Sequence, residues 1–144
     1  MVIVNTRELC NQIFSVYENM TKGTGITVSN FADKDKKPAH VCVCIHGVFD
    51  TLLAGRKPLD LSGIKCIVVD EADIFFKDDN FKYIWKVKDY KHVKEVQPQW
   101  LLFSATYPDE NDQKGAEMMS KIVDENAKQI KLSASNLMER IKSV

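Results

Sequence analysis

Residues 64–69 constrain the fold more than any other segment of the sequence. They read I-K-C-I-V-V, a short run that is rich in β-branched residues and apolar on both alternating faces. Such a run is typical of a parallel β-strand that is covered by helices on both sides. Because parallel strands must be joined by long crossover connections, which are usually helical, this segment predicts an α/β fold.

The rest of the sequence alternates in the same way. Strands are predicted at residues 1–4, 26–31, 41–45, 64–69, 100–103 and 129–132, and helices at residues 48–54, 81–96 and 109–123, with a further helix between the first strand and the break at Gly23 and Gly25. We expect Thr6 to cap the first helix, whose apolar stripe reads Leu9, Ile13, Val16 and Met20. Strands that alternate with helices predict a mostly parallel sheet.

Polar residues follow two of these strands directly. Asp70-Glu71-Ala72-Asp73 follows residues 64–69, and Ser104-Ala105-Thr106 follows residues 100–103. Parallel sheets bind ligands beyond the carboxyl ends of their strands. Two adjacent carboxylates there suit phosphoryl transfer, with Asp70 facing a hydrated Mg²⁺ and Glu71 facing the attacking water. An acidic pair alone is more often a solvated turn or a helix cap, so the pair needs support from other motifs.

Composition limits the classes of partner. The sequence has 20 basic and 20 acidic residues, so a protein that holds nucleic acid by bulk positive charge is disfavoured. Any RNA contact must be local or shared with a partner domain. No apolar run reaches the roughly 18 residues that span a membrane, and the N-terminus lacks a basic region followed by an apolar core. We therefore expect an intracellular protein with no membrane partner.

Four cysteines, at positions 10, 42, 44 and 66, fall in or beside apolar runs, which favours buried thiols in a reducing compartment. The segment His40-Val-Cys-Val-Cys-Ile-His46 has the composition of a metal site. On one strand, however, its two histidines would lie about 20 Å apart, whereas tetrahedral zinc needs donor atoms within about 4 Å of each other. The segment therefore favours a structural strand.

Three ordered motifs give the sequence a family resemblance. The segment Thr6-Arg7-Glu8-Leu9 lies at the end of the first predicted strand, and the D-E-A-D and S-A-T segments follow later strands. At these residues the chain resembles the DEAD-box ATP-dependent RNA helicases. The resemblance implies a RecA-like three-layer α/β sandwich with a mostly parallel sheet. It implies that residues 1–132 form part of the first RecA-like domain, without its N-terminal strand and P-loop, and that residues 133–144 begin the interdomain linker.

The resemblance assigns catalytic roles to Asp70, Glu71, Asp73, Ser104 and Thr106. Asp70 would hold Mg²⁺ through water, and Asp70 and Glu71 would together contact bound ATP and the hydrolytic water. Asp73 would hydrogen-bond toward Ser104 and Thr106, whose S-A-T motif links the nucleotide state to RNA binding in this family.

RNA contacts are implied for Thr6, Arg7 and Gly47. Thr6 lies at a helix N-terminus, which favours anions, and Arg7 can hold a phosphate with two hydrogen bonds. The alternative for Arg7 is a surface salt bridge with Glu8 or another neighbour. The RNA-binding T-P-G-R-like element falls on residues 45–48, which read I-H-G-V, so only Gly47 matches. Because a hydroxyl and an arginine are missing there, RNA affinity should be weakened or supplied differently.

A phosphate-binding G-x-x-x-x-G-K-[S/T] loop does not occur in the sequence, and the family places it upstream of T-R-E-L. We therefore expect the parent protein to be an RNA-dependent ATPase that uses ATP and Mg²⁺ with a second RecA-like domain, and residues 1–144 alone to be inactive. In the family the P-loop strand lies beside the strand at residues 100–103. That strand is therefore expected to form an exposed edge that promotes self-association.

Residues 122–130 are similar to the branch of the family that remodels messenger RNA–protein particles at the nuclear pore. This similarity implies nuclear-pore or mRNA-export partners and a location in the cytoplasm, the nucleus or the nuclear envelope.

Two alternatives remain open. The altered residues 45–48 also fit a degenerate helicase-like module that binds RNA or a protein without catalysis, and the genomic sequence upstream of Met1 distinguishes it from a truncated enzyme. A flavodoxin-like receiver domain needs an acidic pair near its first strand, where the chain offers only Glu8.

Residues 81–96 contain several lysines and aromatic residues. They could form a nucleic-acid-binding or protein-binding face, but a solvated helix with aromatic anchors in the core explains them more simply. The residues concerned are Lys82, Lys86, Lys88, Lys91 and Lys94 with Tyr83, Trp85 and Tyr90.

Overall fold

The computed structural model describes residues 1–33, 37–55, 58–77, 80–106, 112–124, 126–128 and 130. Its strands and helices follow one another in the order β1 Val2–Val4, α1 Arg7–Met20, β2 Val28–Asn30, β3 Val41–Ile45, α2 His46–Ala54, β4 Cys66–Val69, α3 Ala72–Lys77, α4 Phe81–Asp89, α5 Lys91–Val96, β5 Gln99–Leu102 and α6 Gln113–Ile122. The predicted helix at residues 109–123 is thus described from Gln113 onward, and the predicted strand at residues 129–132 lies largely outside the described residues.

The five strands form one parallel sheet in the order β2-β3-β1-β4-β5. β1 is central, and its three residues are buried. Val2 of β1 lies opposite Val43 of β3 and Val68 of β4, and Val69 of β4 lies opposite Leu102 of β5. The predicted parallel α/β sheet is confirmed, and β5 is the last of the described strands on its side.

Helices cover both faces of the sheet. Alternate residues of the strands, such as Ile3, Cys44 and Ile67, face a core that is shared with the helices from α2 onward. The opposite residues, Val2 and Val43 among them, pack against α1. This division follows from the two-residue repeat of a strand, which sends successive side chains to opposite faces.

Helix α1 begins as predicted but packs differently along its length. Thr6 is its N-cap, and the Thr6 hydroxyl oxygen accepts a hydrogen bond from the Leu9 amide at 3.1 Å. The predicted stripe is wrong beyond Ile13, because Val16 and Met20 are 55% and 73% exposed. The packed side chains are instead Leu9, Cys10, Ile13, Phe14 and Tyr17. Spacings of three and four residues fit both sets, and only the sheet surface decides between them.

The single helix predicted at residues 81–96 is wrong. Tyr90 adopts extended backbone angles (φ −66°, ψ 136°) between α4 and α5. Its side chain packs on the core, and its hydroxyl donates a hydrogen bond to the Leu59 carbonyl at 3.4 Å. The break lets Ile84 and Val87 of α4 and Val93 of α5 all be buried. Neither proline nor glycine marks this break in the sequence, so periodicity alone did not reveal it.

Helix α3 was not predicted; it begins within the acidic motif, at Ala72, and carries Asp73 in its first turn. Ala72, Phe75 and Phe76 are buried, and their spacing of three and four residues fits one helix face.

Among the described residues, no helix combines the length and apolar character that crossing a bilayer requires.

Candidate functional site

The carboxyl ends of β1, β4 and β5 bring the predicted motifs to one edge of the sheet. The Asp70 amide donates to the Ile3 carbonyl at 3.1 Å, and the Phe103 amide donates to the Val69 carbonyl at 2.9 Å. The Ala72 amide then donates to the Phe103 carbonyl at 2.9 Å, which ties the start of α3 to the end of β5. The prediction that Asp70 and Ser104 lie at the same edge is confirmed.

The Asp73 carboxylate accepts hydrogen bonds from both hydroxyl groups of the S-A-T segment. Ser104 Oγ lies 2.5 Å from Asp73 Oδ1, and Thr106 Oγ1 lies 2.7 Å from Oδ2. The Thr106 amide also donates to Ser104 Oγ at 3.2 Å. The predicted contacts of Asp73 are therefore confirmed, while the catalytic roles of these residues stay predictions. Since hydrogen bonds to an ionised carboxylate are stronger than neutral ones, this cluster firmly couples α3 to the end of β5.

Glu71 has an unusual backbone conformation at the strand-to-helix turn. Its φ angle is +51°, in the left-handed region, and it is one of two described non-glycine residues with positive φ. Such a conformation costs on the order of 1–3 kcal/mol and is found most often at functional sites. The Glu71 amide donates to Asp70 Oδ1 at 3.0 Å, and the Glu71 side chain is exposed. No residue of the motif predicts this conformation, since left-handed turns usually carry glycine or asparagine.

The acidic pair fits Mg²⁺ bound largely through water. No group of three or more histidine, cysteine or acidic side chains that could enclose a metal occurs in the described part of the chain. Mg²⁺ does not need such a group, because it keeps several waters and takes one or two carboxylates together with phosphate oxygens. Asp70 is partly buried at the strand end, and only its Oδ1 accepts a hydrogen bond from a described residue. Asp70 and Glu71 therefore have the donor chemistry that a hydrated magnesium ion requires.

Thr6 and Arg7 lie at the same edge, after β1. The Arg7 side chain is exposed, and its Nη1 lies 4.0 Å from Asp33 Oδ1. Arg7 therefore pairs with Asp33 and not with Glu8, as the salt-bridge alternative allowed. Both side chains are about 60% exposed, and an exposed pair is worth only about 0–1 kcal/mol. This weak pair leaves Arg7 able to reach a phosphate.

Gly47 lies in the first turn of α2, and it is exposed. A β-carbon added to it would meet nothing within 4 Å, so no described neighbour requires a glycine here. Ile45, the N-cap of α2, forms no side-chain cap hydrogen bond. The first amides of α2 therefore differ from those of α1, where Thr6 caps the helix.

His46 lies beside Gly47 and was not predicted to matter. Its ring lies 4.7 Å from the Tyr83 ring and 5.4 Å from the Phe75 ring, between centroids. Its buried Nδ1 has no hydrogen-bond partner among the described residues, and burial lowers the pKa of the imidazole. His46 thereby connects the N-terminus of α2 to the first turn of α4. Only its position next to Gly47 could have singled it out in the sequence.

Comparison with known proteins identifies the family. A model of the DEAD/DEAH box helicase family matches residues 1–114, a span that includes all three motifs described above. The chain belongs to the DEAD/DEAH box helicase family. The predicted resemblance is therefore confirmed, and the flavodoxin-like receiver alternative is excluded.

Individual helicases are similar over most of the chain. DEAD-box ATP-dependent RNA helicase 38 of Arabidopsis thaliana is 33% identical over 120 residues, which is 74% of this chain and 24% of that protein. A variant of Saccharomyces cerevisiae Dbp5 bound to RNA and ADP BeF3 is 31% identical, with a TM-score of 0.71 over 94% of this chain and 34% of that one. A Dbp5 structure with Nup159, Gle1, IP6 and ADP gives a TM-score of 0.61 over 83% of this chain and 33% of that one, again at 31% identity.

These likenesses confirm the RecA-like fold class, a mostly parallel sheet flanked by helices. The chain spans about a quarter of the curated relative and about a third of each solved chain.

Proposed function

We propose that this chain is part of an ATP-dependent RNA helicase, with ATP hydrolysis coupled to the binding and remodelling of RNA. Residues 1–132 would belong to its first RecA-like domain, and residues 133–144 would begin the linker to a second one. The observation that supports this most is the pair of hydrogen bonds that the Ser104 and Thr106 hydroxyls donate to Asp73. These bonds join the acidic motif to the S-A-T segment. The coupling of nucleotide state to RNA binding needs such a rigid connection between the two motifs.

The nucleotide side of the mechanism is assigned to the acidic turn. Bound Mg²⁺ supplies charge neutralisation for the phosphates of ATP. Asp70 would hold the hydrated ion, and the Glu71 amide, which donates to Asp70 Oδ1, orients the Asp70 carboxylate for that role. The exposed Glu71 side chain orients the attacking water and accepts its proton. The strained Glu71 backbone is consistent with a position held for function.

RNA binding is assigned to the helix starts at the same edge. Arg7 contacts RNA phosphates, with the hydroxyl of Thr6 next to it, and the first turn of α2 at Gly47 admits a close approach of the RNA backbone. Helix N-termini favour phosphate because their first amides are not bonded within the helix. A Dbp5 structure with RNA at 31% identity supports this assignment.

Residues 1–144 alone should not hydrolyse ATP. The sequence contains no G-x-x-x-x-G-K-[S/T] loop, and phosphoryl transfer depends on positioning and charge stabilisation of the phosphates. Turnover would require that loop together with the second RecA-like domain.

A role in mRNA export is the most specific form of the proposal. Structures of Dbp5 with Nup159 and Gle1 match this chain, and residues 122–130 resemble the nuclear-pore branch of the family. Nuclear-pore and export proteins are the corresponding proposed partners, and the cytoplasm, nucleus and nuclear envelope are the corresponding places.

The test is RNA-stimulated ATP hydrolysis by the natural gene product, measured as phosphate release with and without single-stranded RNA. We expect RNA to stimulate hydrolysis and Glu71→Gln to abolish it. Glu18→Gln, which removes the same charge near the end of α1, is the matched control and should leave the rate unchanged. Hydrolysis that survives Glu71→Gln would remove Glu71 from the mechanism.

A second candidate is a helicase-like module that binds RNA or a protein without catalysis. It is favoured by Ile45 and Val48, which replace the hydroxyl and the arginine of the family's RNA-binding element. A gene product that hydrolyses no ATP under any of these conditions, and a gene with no P-loop-coding sequence upstream of Met1, would support this candidate over the enzyme.

A further inference from the structure

We propose that Asp33 lowers the affinity of this protein for RNA, because its carboxylate competes with an RNA phosphate for the Arg7 guanidinium. The inference rests on the proposed RNA-binding function and adds to it an anion, built into the fold, that RNA must displace. The observation behind it is the position of Asp33, in the turn after β2, beside Arg7 in the first turn of α1. Asp33 thus sets RNA affinity without itself binding RNA.

The turn after β2 brings Asp33 to the edge of the sheet where Arg7 lies. β2 is parallel to its neighbour β3 and ends at Asn30. The Asp33 amide donates to the Asn30 carbonyl at 3.3 Å, and the Phe31 amide donates to the Val43 carbonyl at 2.8 Å. Backbone hydrogen bonds therefore hold this turn at the carboxyl end of the strands, the end at which β1 leads into α1.

A buried asparagine ties the turn to α1. Asn30 is only 8% exposed. Its Oδ1 accepts hydrogen bonds from the Ala32 amide at 2.9 Å and from the Cys10 thiol at 3.2 Å, and its Nδ2 donates to Asn11 Oδ1 at 2.8 Å. A buried polar network whose members have partners is rigid. Side chains, and not the loop backbone alone, therefore fix the position of the turn relative to α1.

The face of α1 that meets this turn also includes Arg7. Cys10 and Asn11 lie three and four positions after Arg7, and residues at these spacings are neighbours on a helix surface. The contacts of Cys10 and Asn11 with Asn30 therefore place the Arg7 side chain beside the turn. There, Arg7 Nη1 lies 4.0 Å from Asp33 Oδ1.

The pair is loose enough for RNA to displace it. Both side chains are about 60% exposed, and their 4.0 Å separation is longer than a charge-assisted hydrogen bond, which measures about 2.7–2.9 Å. A phosphate can accept two such bonds from one guanidinium. A phosphate is therefore the stronger ligand of Arg7, and Asp33 lowers the affinity for RNA without preventing its binding.

The altered residues 45–48 make this competition more important. They supply neither the hydroxyl nor the arginine that the family's RNA-binding element would provide. The net charge of the chain is zero, so no general positive field compensates for the loss. Arg7 therefore contributes a larger share of phosphate binding than it would beside those groups, and a carboxylate next to it should measurably change RNA affinity.

The experiment measures the affinity of the natural gene product for a fluorescein-labelled single-stranded oligouridylate by fluorescence anisotropy, with a non-hydrolysable ATP analogue and Mg²⁺ present throughout. An exposed ion pair shifts an equilibrium by up to about fivefold, so Asp33→Asn should bind the RNA about two- to fivefold more tightly than the unmodified protein. The gain should shrink as salt is added, because salt screens exposed charges. Asp33→Glu keeps the charge and should show no such gain.

A second substitution decides whether Asp33 acts through Arg7. Arg7→Gln should itself weaken RNA binding, and Asp33→Asn should then add no further gain, because the guanidinium for which the two anions compete is gone. The charges of residues 34–37 are the same in all these variants and cancel from the comparison. A gain of equal size in the Arg7→Gln background would mean that Asp33 repels RNA by charge alone, which would overturn the inference.

Glu18→Gln is the matched control. Glu18 lies near the other end of the 14-residue helix α1, roughly 16 Å from Arg7 along the helix axis. The variant removes the same charge and should leave RNA affinity unchanged, and a gain as large as that of Asp33→Asn would contradict the proposed competition.

The outcomes also separate this inference from the function on which it rests. If the unmodified protein binds RNA and Asp33→Asn binds it no more tightly, RNA binding stands and the competition by Asp33 is wrong. If neither the unmodified protein nor any variant binds RNA, both are wrong.

Discussion

The hydrogen bonds that Asp73 accepts from Ser104 and Thr106 should make a measurable contribution to stability. Ser104 donates to one carboxylate oxygen and Thr106 to the other. Hydrogen bonds to charged groups are worth about 1.5–3 kcal/mol. Ser104 and Asp73 are both partly exposed, so the lower end of the range applies, at about 1.5 kcal/mol. Ser104→Ala should therefore lower the free energy of unfolding by about that amount.

The assay is urea unfolding followed by tryptophan fluorescence. With a slope of about 2 kcal/mol per molar urea, Ser104→Ala should move the midpoint down by about 0.7 M. Ser120→Ala is the control, since among the described residues the Ser120 hydroxyl bonds just the Glu117 carbonyl of its own helix, at 2.7 Å. Its effect should stay below about 0.5 kcal/mol.

A double-mutant cycle decides whether the two motifs are joined. Asp73→Asn and Ser104→Ala should be non-additive by about 1 kcal/mol, because each variant removes the same contact. Effects that add to within about 0.3–0.5 kcal/mol would show that the contact contributes nothing. The acidic motif and the S-A-T segment would then not be energetically linked, which would refute the proposed connection.

Three further predictions concern titration, thiol reactivity and assembly. Burial lowers the pKa of His46 below its usual 6.5, so on acidification His46 takes up its proton more readily in the unfolded chain. The free energy of unfolding should therefore fall as the pH drops below about 6.5. Urea unfolding at pH 7.5 and 5.5 should show a smaller loss of this free energy for His46→Phe than for the unmodified chain, and equal losses would contradict the prediction. Burial raises the pKa of the Cys44 and Cys10 thiols. A thiol reagent at pH 7.5 should therefore label Cys42 and Cys66 in the folded chain, and all four cysteines after denaturation. Rapid labelling of all four cysteines in the folded state would refute this prediction. Self-association through the β5 side of the sheet predicts a sedimentation coefficient that rises with concentration in analytical ultracentrifugation, and a concentration-independent monomer would count against it.

The sheet was predictable because its strands have a distinctive composition. Residues 64–69 are apolar on both faces, and β4 lies inside the sheet with helices on both sides. Once the strands are parallel and adjacent, the polar residues that follow them must meet at one edge. The proximity of the acidic motif to the S-A-T segment could therefore be expected from the strand pattern, whereas the specific contact of Asp73 with Ser104 was implied by the family resemblance.

The helices were less predictable because their packing depends on the sheet beneath them. The stripe of α1 could be chosen in two ways from spacing alone, and the exposed Val16 and Met20 show that the wrong one was favoured. The break at Tyr90 depends on its contact with Leu59, which lies 31 positions away in the chain. A local pattern carries no information about such a contact.

Two features of the site lay beyond sequence reasoning for a similar reason. The positive φ of Glu71 is held by bonds on either side of it, including that of the Ala72 amide to the Phe103 carbonyl. The position of His46 against Tyr83 depends on how α4 is placed after the unpredicted helix α3. In both cases a tertiary contact determines the local geometry.

Coupling between nucleotide binding and RNA binding can be measured as a change in RNA affinity. The affinity of the natural gene product for a labelled single-stranded RNA is measured with and without a non-hydrolysable ATP analogue and Mg²⁺. Coupling between two sites is typically worth 5–150-fold in affinity, so we predict RNA binding at least about fivefold tighter with the analogue, and loss of that gain in Ser104→Ala. The same RNA affinity in the presence and absence of the analogue would show that the two sites are not coupled, contrary to the proposed function.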